Sequence, residues 1–164
     1  MTSSVPDKNC LCGGKALLVC GLCRDLYCKK CTEFLAQDTF SFMGKIPKDL
    51  THTHYCFGCY SRSIQPALRA YNEVMRRAKA VMILDKPRRR PLTILKKFPE
   101  PLEVVDCPDR EETVLRLAFK AAELGFNSVI RANINYKKVG SSSYQKLIWH
   151  GSGIAADLDD RKLD

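Results

Sequence analysis

Eight of the chain's nine cysteines lie before residue 60, in four close pairs: Cys10-x-Cys12, Cys20-x-x-Cys23, Cys28-x-x-Cys31 and Cys56-x-x-Cys59. Two thiolates so spaced supply two corners of a tetrahedral site, with zinc–sulfur bonds of about 2.3 Å. Eight ligands divide evenly into two closed four-cysteine sites. A closed site has no open position for water or substrate, so the implied role is structural: two Zn2+ ions stabilising a segment too poor in apolar residues to fold alone. A redox dithiol relay needs one exposed pair beside a βαβ pattern, which four clustered pairs do not offer. His52 and His54 precede the last pair and are spare donors; beside eight cysteines they read as exposed loop histidines. The spacing accommodates interleaved and sequential assignment of pairs to metals alike.

Other candidates for chemistry stand alone. Cys107 precedes Pro108 at an expected helix start, and His150 lies on an expected strand; ordinary packing accounts for both, and a metal-handling or redox protein working through them is the alternative. Ser141, Ser142 and Ser143 are turn formers. There is no G-x-x-x-x-G-K-[ST], G-x-G-x-x-G or H-E-x-x-H. The chain therefore reads as non-enzymatic.

Positioning these residues falls to 164 amino acids of 18.6 kDa, 45% of them apolar, enough for one ordinary domain or two small ones. No stretch approaches the roughly 20 apolar residues of a membrane-spanning helix. Met1 to Lys8 shows no basic start followed by an apolar run, so no secretory leader is expected. The thiols are then expected to be reduced and the protein cytoplasmic, with peripheral membrane association open. The formal charge of +9 is concentrated: residues 62–99 carry eleven Lys and Arg against two Asp and Glu. Composition thus divides the chain into a cysteine-rich module (1–62), a basic helix and linker (63–99) and a conventional small domain (100–164).

In the module, Cys20-Gly-Leu-Cys23-Arg-Asp-Leu-Tyr-Cys28-Lys-Lys-Cys31 resembles the core of a FYVE-type zinc finger, and Cys56-Phe-Gly-Cys59-Tyr60 resembles that family's last pair with its trailing tyrosine. The resemblance covers about residues 8 to 65. It implies a cross-brace in which Cys10, Cys12, Cys28 and Cys31 hold one zinc and Cys20, Cys23, Cys56 and Cys59 the other. The family's His-His-Cys-Arg signature for phosphatidylinositol 3-phosphate is absent: Lys15-Ala-Leu-Leu-Val-Cys20 stands in its place. The tryptophan-led motif and the arginine before the last pair are also missing, and the first pair is C-x-C. Without those donors, headgroup discrimination is not expected. Lys15 and Arg24 remain as weak anion or membrane contacts. Leu17 and Leu18 are expected in the core rather than as an inserting tip.

Ile64, Leu68, Tyr71, Met75, Ala78 and Met82 recur at spacings of three and four, an apolar stripe along one helix face, with Pro66 in its first turn and Pro87 at its end. The following Arg88, Arg89 and Arg90 suit phosphate contact with lipid or nucleic acid. No aromatic residue interrupts Lys86 to Lys97, so a base-reading role for this segment is not supported.

Beyond it, Leu102–Asp106 reads as a strand, and Asp109-x-x-Glu112 as a capping box opening a helix with Val114, Leu117, Ala118, Ala121 and Leu124 inward and Gly125 as its C-cap. Ser128–Tyr136 alternates, with Ile130, Ala132, Ile134 and Tyr136 on one face, and Tyr144–Ala156 is a last strand after a turn at Gly140–Ser143. The order is βαββ, and the fold class α+β. Ala121–Ile130, Asn135–Gly140 and His150-Gly-Ser-Gly-Ile-Ala155 resemble the bacterial YbjQ family over residues 102–158. That resemblance implies a domain called heavy-metal-binding and a tendency to homo-oligomers.

The function expected is that of a non-enzymatic adaptor. A FYVE-like surface meets a protein partner or an anionic membrane, and the C-terminal domain oligomerises. The alternative is a nucleic-acid-binding zinc protein using residues 76–97.

Overall fold

The computed structural model describes residues 9–86 and 91–159. The fold is α+β, in two compact units that meet in sequence between Tyr71 and Asn72.

The first unit is built from two hairpins and the first part of a helix, whose residues from Asn72 onward belong to the second unit. Strand β1 (Leu18–Val19) pairs antiparallel with β2 (Leu26–Tyr27), and β3 (Thr32–Phe34) with β4 (His54–Cys56). Helix α1 (Phe57–Cys59) follows β4 without a break and passes through a π-helical turn, Tyr60–Ile64, into α2 (Gln65–Ala78). The helical segment therefore starts before Pro66 rather than at it. A proline has no N–H to give the carbonyl four residues back, here that of Arg62, and the ladder adjusts by a wider turn in which the Gln65 N–H bonds the Tyr60 carbonyl. The expected stripe is present: Ile64 and Ala78 are buried, and Leu68, Tyr71 and Met75 half-buried. Met82 lies beyond the helix. Phe40, Tyr55, Ile64 and Leu35 pack with Cys20, Cys56 and Cys59 into the unit's main core.

The second unit holds a five-stranded sheet. Its spine is the long hairpin of β8 (Ser128–Ser141) and β9 (Tyr144–Leu158). The free edge of β9 receives β6 (Ile94–Lys97) near its C-terminal end and β7 (Leu102–Cys107) further along, both antiparallel, while β5 (Met82–Ile83) runs parallel to the start of β8. Residues 82–83 and 94–97, expected as linker, are thus sheet strands, and the βαββ order gains two strands ahead of it.

Helix α3 (Arg110–Glu123) covers one face. Asp109 caps it, accepting the Glu112 N–H at 2.7 Å, and Gly125 takes the left-handed conformation (φ 84°) that ends it. Leu117 and Ala121 pack on Leu102, Val104, Val129 and Ala155. Leu124, expected inside, is exposed beyond the helix end. Closeness of approach depends on glycine: a Cβ at Gly151 would lie 2.8 Å from both Leu117 Cδ1 and Thr113 Cγ2. The Asn127 side chain extends the β8–β9 ladder, accepting the Leu158 N–H and donating to the Leu158 carbonyl, each at 2.9 Å.

Two bulges reset the strand phase. Asp106 (φ 58°) shifts β7 so that Cys107 joins Leu102 and Val104 in the core. Arg131 (φ 53°) does the same in β8: Val129, Ala132 and Ile134 share the helix-covered side, whereas Ile130 packs with Ala156 and Leu158 in a separate cluster. The expected uninterrupted alternation from Ile130 to Tyr136 is therefore broken at Arg131.

Candidate metal centres

The two hairpins of the first unit sort the cysteine pairs. Cys10 and Cys12 sit in a tight turn closed by the Gly13 N–H on the Cys10 carbonyl, with Gly13 at φ 83°. This turn and the 3-10 turn Lys29–Cys31 flank the open end of the β1–β2 hairpin, where the Leu17 N–H bonds the Tyr27 carbonyl. At the hairpin's other end, Cys20 and Cys23 form a knuckle closed by the Arg24 N–H on the Cys20 carbonyl, with Arg24 left-handed at φ 65°. The Gly21 N–H bonds the His54 carbonyl and joins this knuckle to β4, which ends at Cys56. A hairpin that brings the first and third pairs to one end and holds the second pair at the other produces an interleaved grouping.

Two clusters result. Cys10, Cys12, Cys28 and Cys31 form one, and Cys20, Cys23, Cys56 and Cys59 the other, with the sulfurs of each within 4.8 Å of one another. The Sγ atoms of Cys12 and Cys28 are 3.3 Å apart, and those of Cys23 and Cys56 4.0 Å. A tetrahedron with 2.3 Å metal–sulfur bonds has edges of about 3.8 Å. Both clusters can therefore hold a metal ion.

As thiols alone, each cluster divides into anions and protonated groups. Backbone N–H groups of Cys12 and Cys28 lower Cys10 to about 6. Burial pushes Cys20 up, but the N–H groups of Cys56, Cys23 and Leu22 outweigh it and bring it down to about 6. Hydrogen bonds with the Cys12, Cys10 and Cys28 thiols push Cys31 up to about 12. Burial, then hydrogen bonds with Cys56, Cys20 and Cys23, push Cys59 up to about 12. The Cys12 thiol also lowers Cys28, and burial raises Cys23, so each site mixes lowered and raised thiols, and a metal bound there would displace the protons of the raised ones.

The helix of residues 57–78 begins at the second cluster: Cys56 is its N-cap, and its sulfur accepts the Cys59 N–H at 3.4 Å. Tyr27 was not legible as a site residue. Its hydroxyl lies 3.6 Å from the Cys23 sulfur, and hydrogen bonds to Cys23 and Cys56 hold the phenol well above its usual range. An aromatic on a strand looks like core in sequence; only its register opposite Leu18 places it against the sulfurs.

The histidines belong to neither cluster and are half-buried rather than exposed. His52 packs over Gly21, where a Cβ would lie 2.4 Å from the His52 Cβ. The ring of His54 pairs with Thr53 Oγ1 at 2.8 Å and stacks edge-on against Phe34. Lys15 and Arg24 are exposed. Arg88, Arg89 and Arg90 fall outside the described residues. Leu17, expected in the core, is 68% exposed, while Leu18 is half-buried. Between the two clusters runs an open groove of about 410 Å³, floored by ligand cysteines and rimmed by Leu11, Asp25, Tyr27, Phe57 and Arg62. Leu11 and Phe57 are both prominently exposed there.

In the second unit Cys107 is buried beneath α3, and its thiol faces the Val105 carbonyl at 3.7 Å. His150 accepts the Asp106 N–H through Nδ1 at 3.5 Å, and its buried Nε2 makes no hydrogen bond. Neither residue joins a cluster of metal-ligating side chains among the described residues. Among the same residues, no helix is long and apolar enough to cross a membrane. No protein-family model, curated protein or solved structure matches this chain significantly.

Proposed function

We propose that the protein is a non-enzymatic zinc-dependent adaptor, whose N-terminal unit is a FYVE-like cross-brace built on two structural Zn2+ ions. The observation that carries this reading is the grouping of all eight paired cysteines into two all-sulfur sets of four, each close enough to hold one metal ion. All-thiolate sets select zinc over the harder divalent ions, and with four protein ligands each leaves no corner for substrate. Zinc here supplies folding energy, which suits a unit whose core is made partly of the ligand cysteines.

The contact surface of the adaptor is the groove rim. Leu11 and Phe57 present apolar area with Arg62 beside them, and Lys15 and Arg24 add positive charge to the same unit. This combination suits a protein partner or an anionic membrane surface. Cosedimentation with vesicles of matched surface charge tests it. The double variant Leu11→Ser/Phe57→Ser is expected to lose several-fold in retention, and phosphatidylinositol 3-phosphate to be preferred by less than tenfold over other anionic lipids. A larger preference would contradict the missing histidine–arginine signature, and retention indifferent to the double variant would move the contact off the rim.

For the second unit we propose self-association, as its YbjQ-like resemblance implies. Strand β6 favours this reading: it pairs on one side only, with β9, and exposes Ile94 and Leu95. Sedimentation velocity of the full chain tests it, with Leu95→Lys expected to shift an oligomer toward monomer.

A further inference from the structure

From Leu124 to Ala156 the sequence contains no Asp or Glu, yet it contains Arg131, Lys137, Lys138 and Lys146. These residues make up β8 and most of β9, and their distal halves differ from the rest of the sheet. Neither β5, which pairs only at Ser128 and Val129, nor β7, which reaches only Trp149, accompanies the hairpin to its tip. Beyond the Tyr136↔Trp149 pair, which β7 still flanks through Cys107, the pairs from Lys137↔Ile148 to Ser141↔Tyr144 form a two-stranded ribbon whose edges pair with no other strand among the described residues, extending about 17 Å at the usual rise per residue.

The side chains on that ribbon combine exposed aromatic rings, lysines and a few aliphatic residues. On one face the rings of Tyr136 and Trp149 lie 5.0 Å apart, followed by Lys138 and Leu147. The other face carries Lys137, Ile148, Val139, Lys146 and, beside the turn, Tyr144. Tyr144 is 73% exposed and Tyr136 53%. An isolated ribbon buries little of its own, so such large exposed rings are not explained by packing.

We propose that the face of this ribbon carrying Tyr144, Lys146 and Lys137 is a docking surface for single-stranded nucleic acid, the two lysines neutralising phosphates while Tyr144 stacks on a base. Charge complementarity selects an anionic partner, since no carboxylate interrupts the run. A second copy is disfavoured because pairing ribbon edges would set lysines against lysines. A membrane is disfavoured because the tip, Gly140–Ser143, is polar and offers nothing to insert, while the aromatic residues lie along the flanks. An exposed ring beside cations on an accessible strand is what an unpaired base and its phosphates require. The basic segment of residues 76–97 lacks those interleaved aromatics and supplies charge alone. The proposal stands independently of the metal sites.

Fluorescence anisotropy tests it, with the zinc-loaded full chain and labelled oligouridylate, oligothymidylate and a mixed-sequence duplex as probes across a salt series. Single strands of either sugar are expected to bind more tightly than duplex. Lys137→Gln/Lys146→Gln is expected to flatten the slope of log affinity against log salt by about 1.4, at ~0.7 per phosphate on single strands. Tyr144→Ala is expected to cost about tenfold on single strands, the effect of one stacked base. Both variants change exposed side chains, and an unaltered Trp149 emission and melting transition verify their fold. Arg88→Gln/Arg89→Gln/Arg90→Gln is expected to leave the Tyr144 effect intact. Absence of oligonucleotide binding at low salt overturns the proposal, whether or not anionic vesicles are retained. Equal binding of duplex with no dependence on Tyr144, or binding untouched by the lysine double variant, overturns it as well.

Discussion

Substituting Gly151 with alanine adds one methyl group where β9 passes under α3. That Cβ would stand 2.8 Å from Leu117 Cδ1 and Thr113 Cγ2, and 3.2 Å from Val104 Cγ2. Comfortable carbon–carbon contact begins near 3.5 Å, so two neighbours must each move by about 0.7 Å. Leu117 and Thr113 are fully buried and have no free space to retreat into. Overpacking of this kind costs about 1–3 kcal/mol, against a gain of about 0.4–1 kcal/mol from restricting the unfolded chain. The clash wins, leaving a net loss of about 1–2 kcal/mol. For a unit of this size that lowers the melting temperature by about 5–15 °C. Trp149, the chain's sole tryptophan, lies two residues away on β9 and reports the transition of this unit. A double variant separates crowding from other causes. Leu117→Ala alone costs about 2–5 kcal/mol, and Gly151→Ala added to it should then cost less than in the wild type, because one of the two closest contacts is gone while that with Thr113 remains. An unchanged or raised melting temperature in Gly151→Ala, or strict additivity with Leu117→Ala, would refute the close approach of helix and strand.

Two further outcomes bear on the metal centres. Tyr27→Phe removes a hydroxyl 3.6 Å from the Cys23 sulfur and is expected to weaken the second site by roughly 10–100-fold, the usual effect of an outer-shell partner, while sparing the first site; a chelator-competition titration resolves the two. Metal binding must displace protons held on Cys31 and Cys59, both raised to about 12, so affinity rises with pH and falls with acid; calorimetry in buffers of different ionisation heat should show net proton release at neutral pH.

The candidate ligands were legible because they depend on local spacing: thiolates two or three residues apart can reach one metal whatever surrounds them. Their grouping was not readable from spacing alone, since it follows from which end of the β1–β2 hairpin each pair occupies. The start of the helix was hidden because its cap is Cys56, a residue type rarely used for capping, while Pro66 looks like a first-turn proline. The bulges at Asp106 and Arg131 left no signal, because a left-handed residue is ordinarily announced by glycine or asparagine, and an arginine there depends on tertiary context. Strands β5 and β6 escaped notice for a different reason: two residues cannot show a period, and Ile94–Lys97 reads as part of a basic linker. By contrast, helix α3 declared both its ends, through Asp109 and Gly125, and formed between them.

Native mass spectrometry of the purified chain beside Cys28→Ser measures whether two zinc ions organise the N-terminal unit through interleaved cysteine pairs, with Trp149 emission recording the second unit in the same samples. Two zinc ions per wild-type chain, one in Cys28→Ser, and an unchanged Trp149 transition in both are expected. Zero or one zinc in the wild type, or two retained in Cys28→Ser, would contradict that organisation.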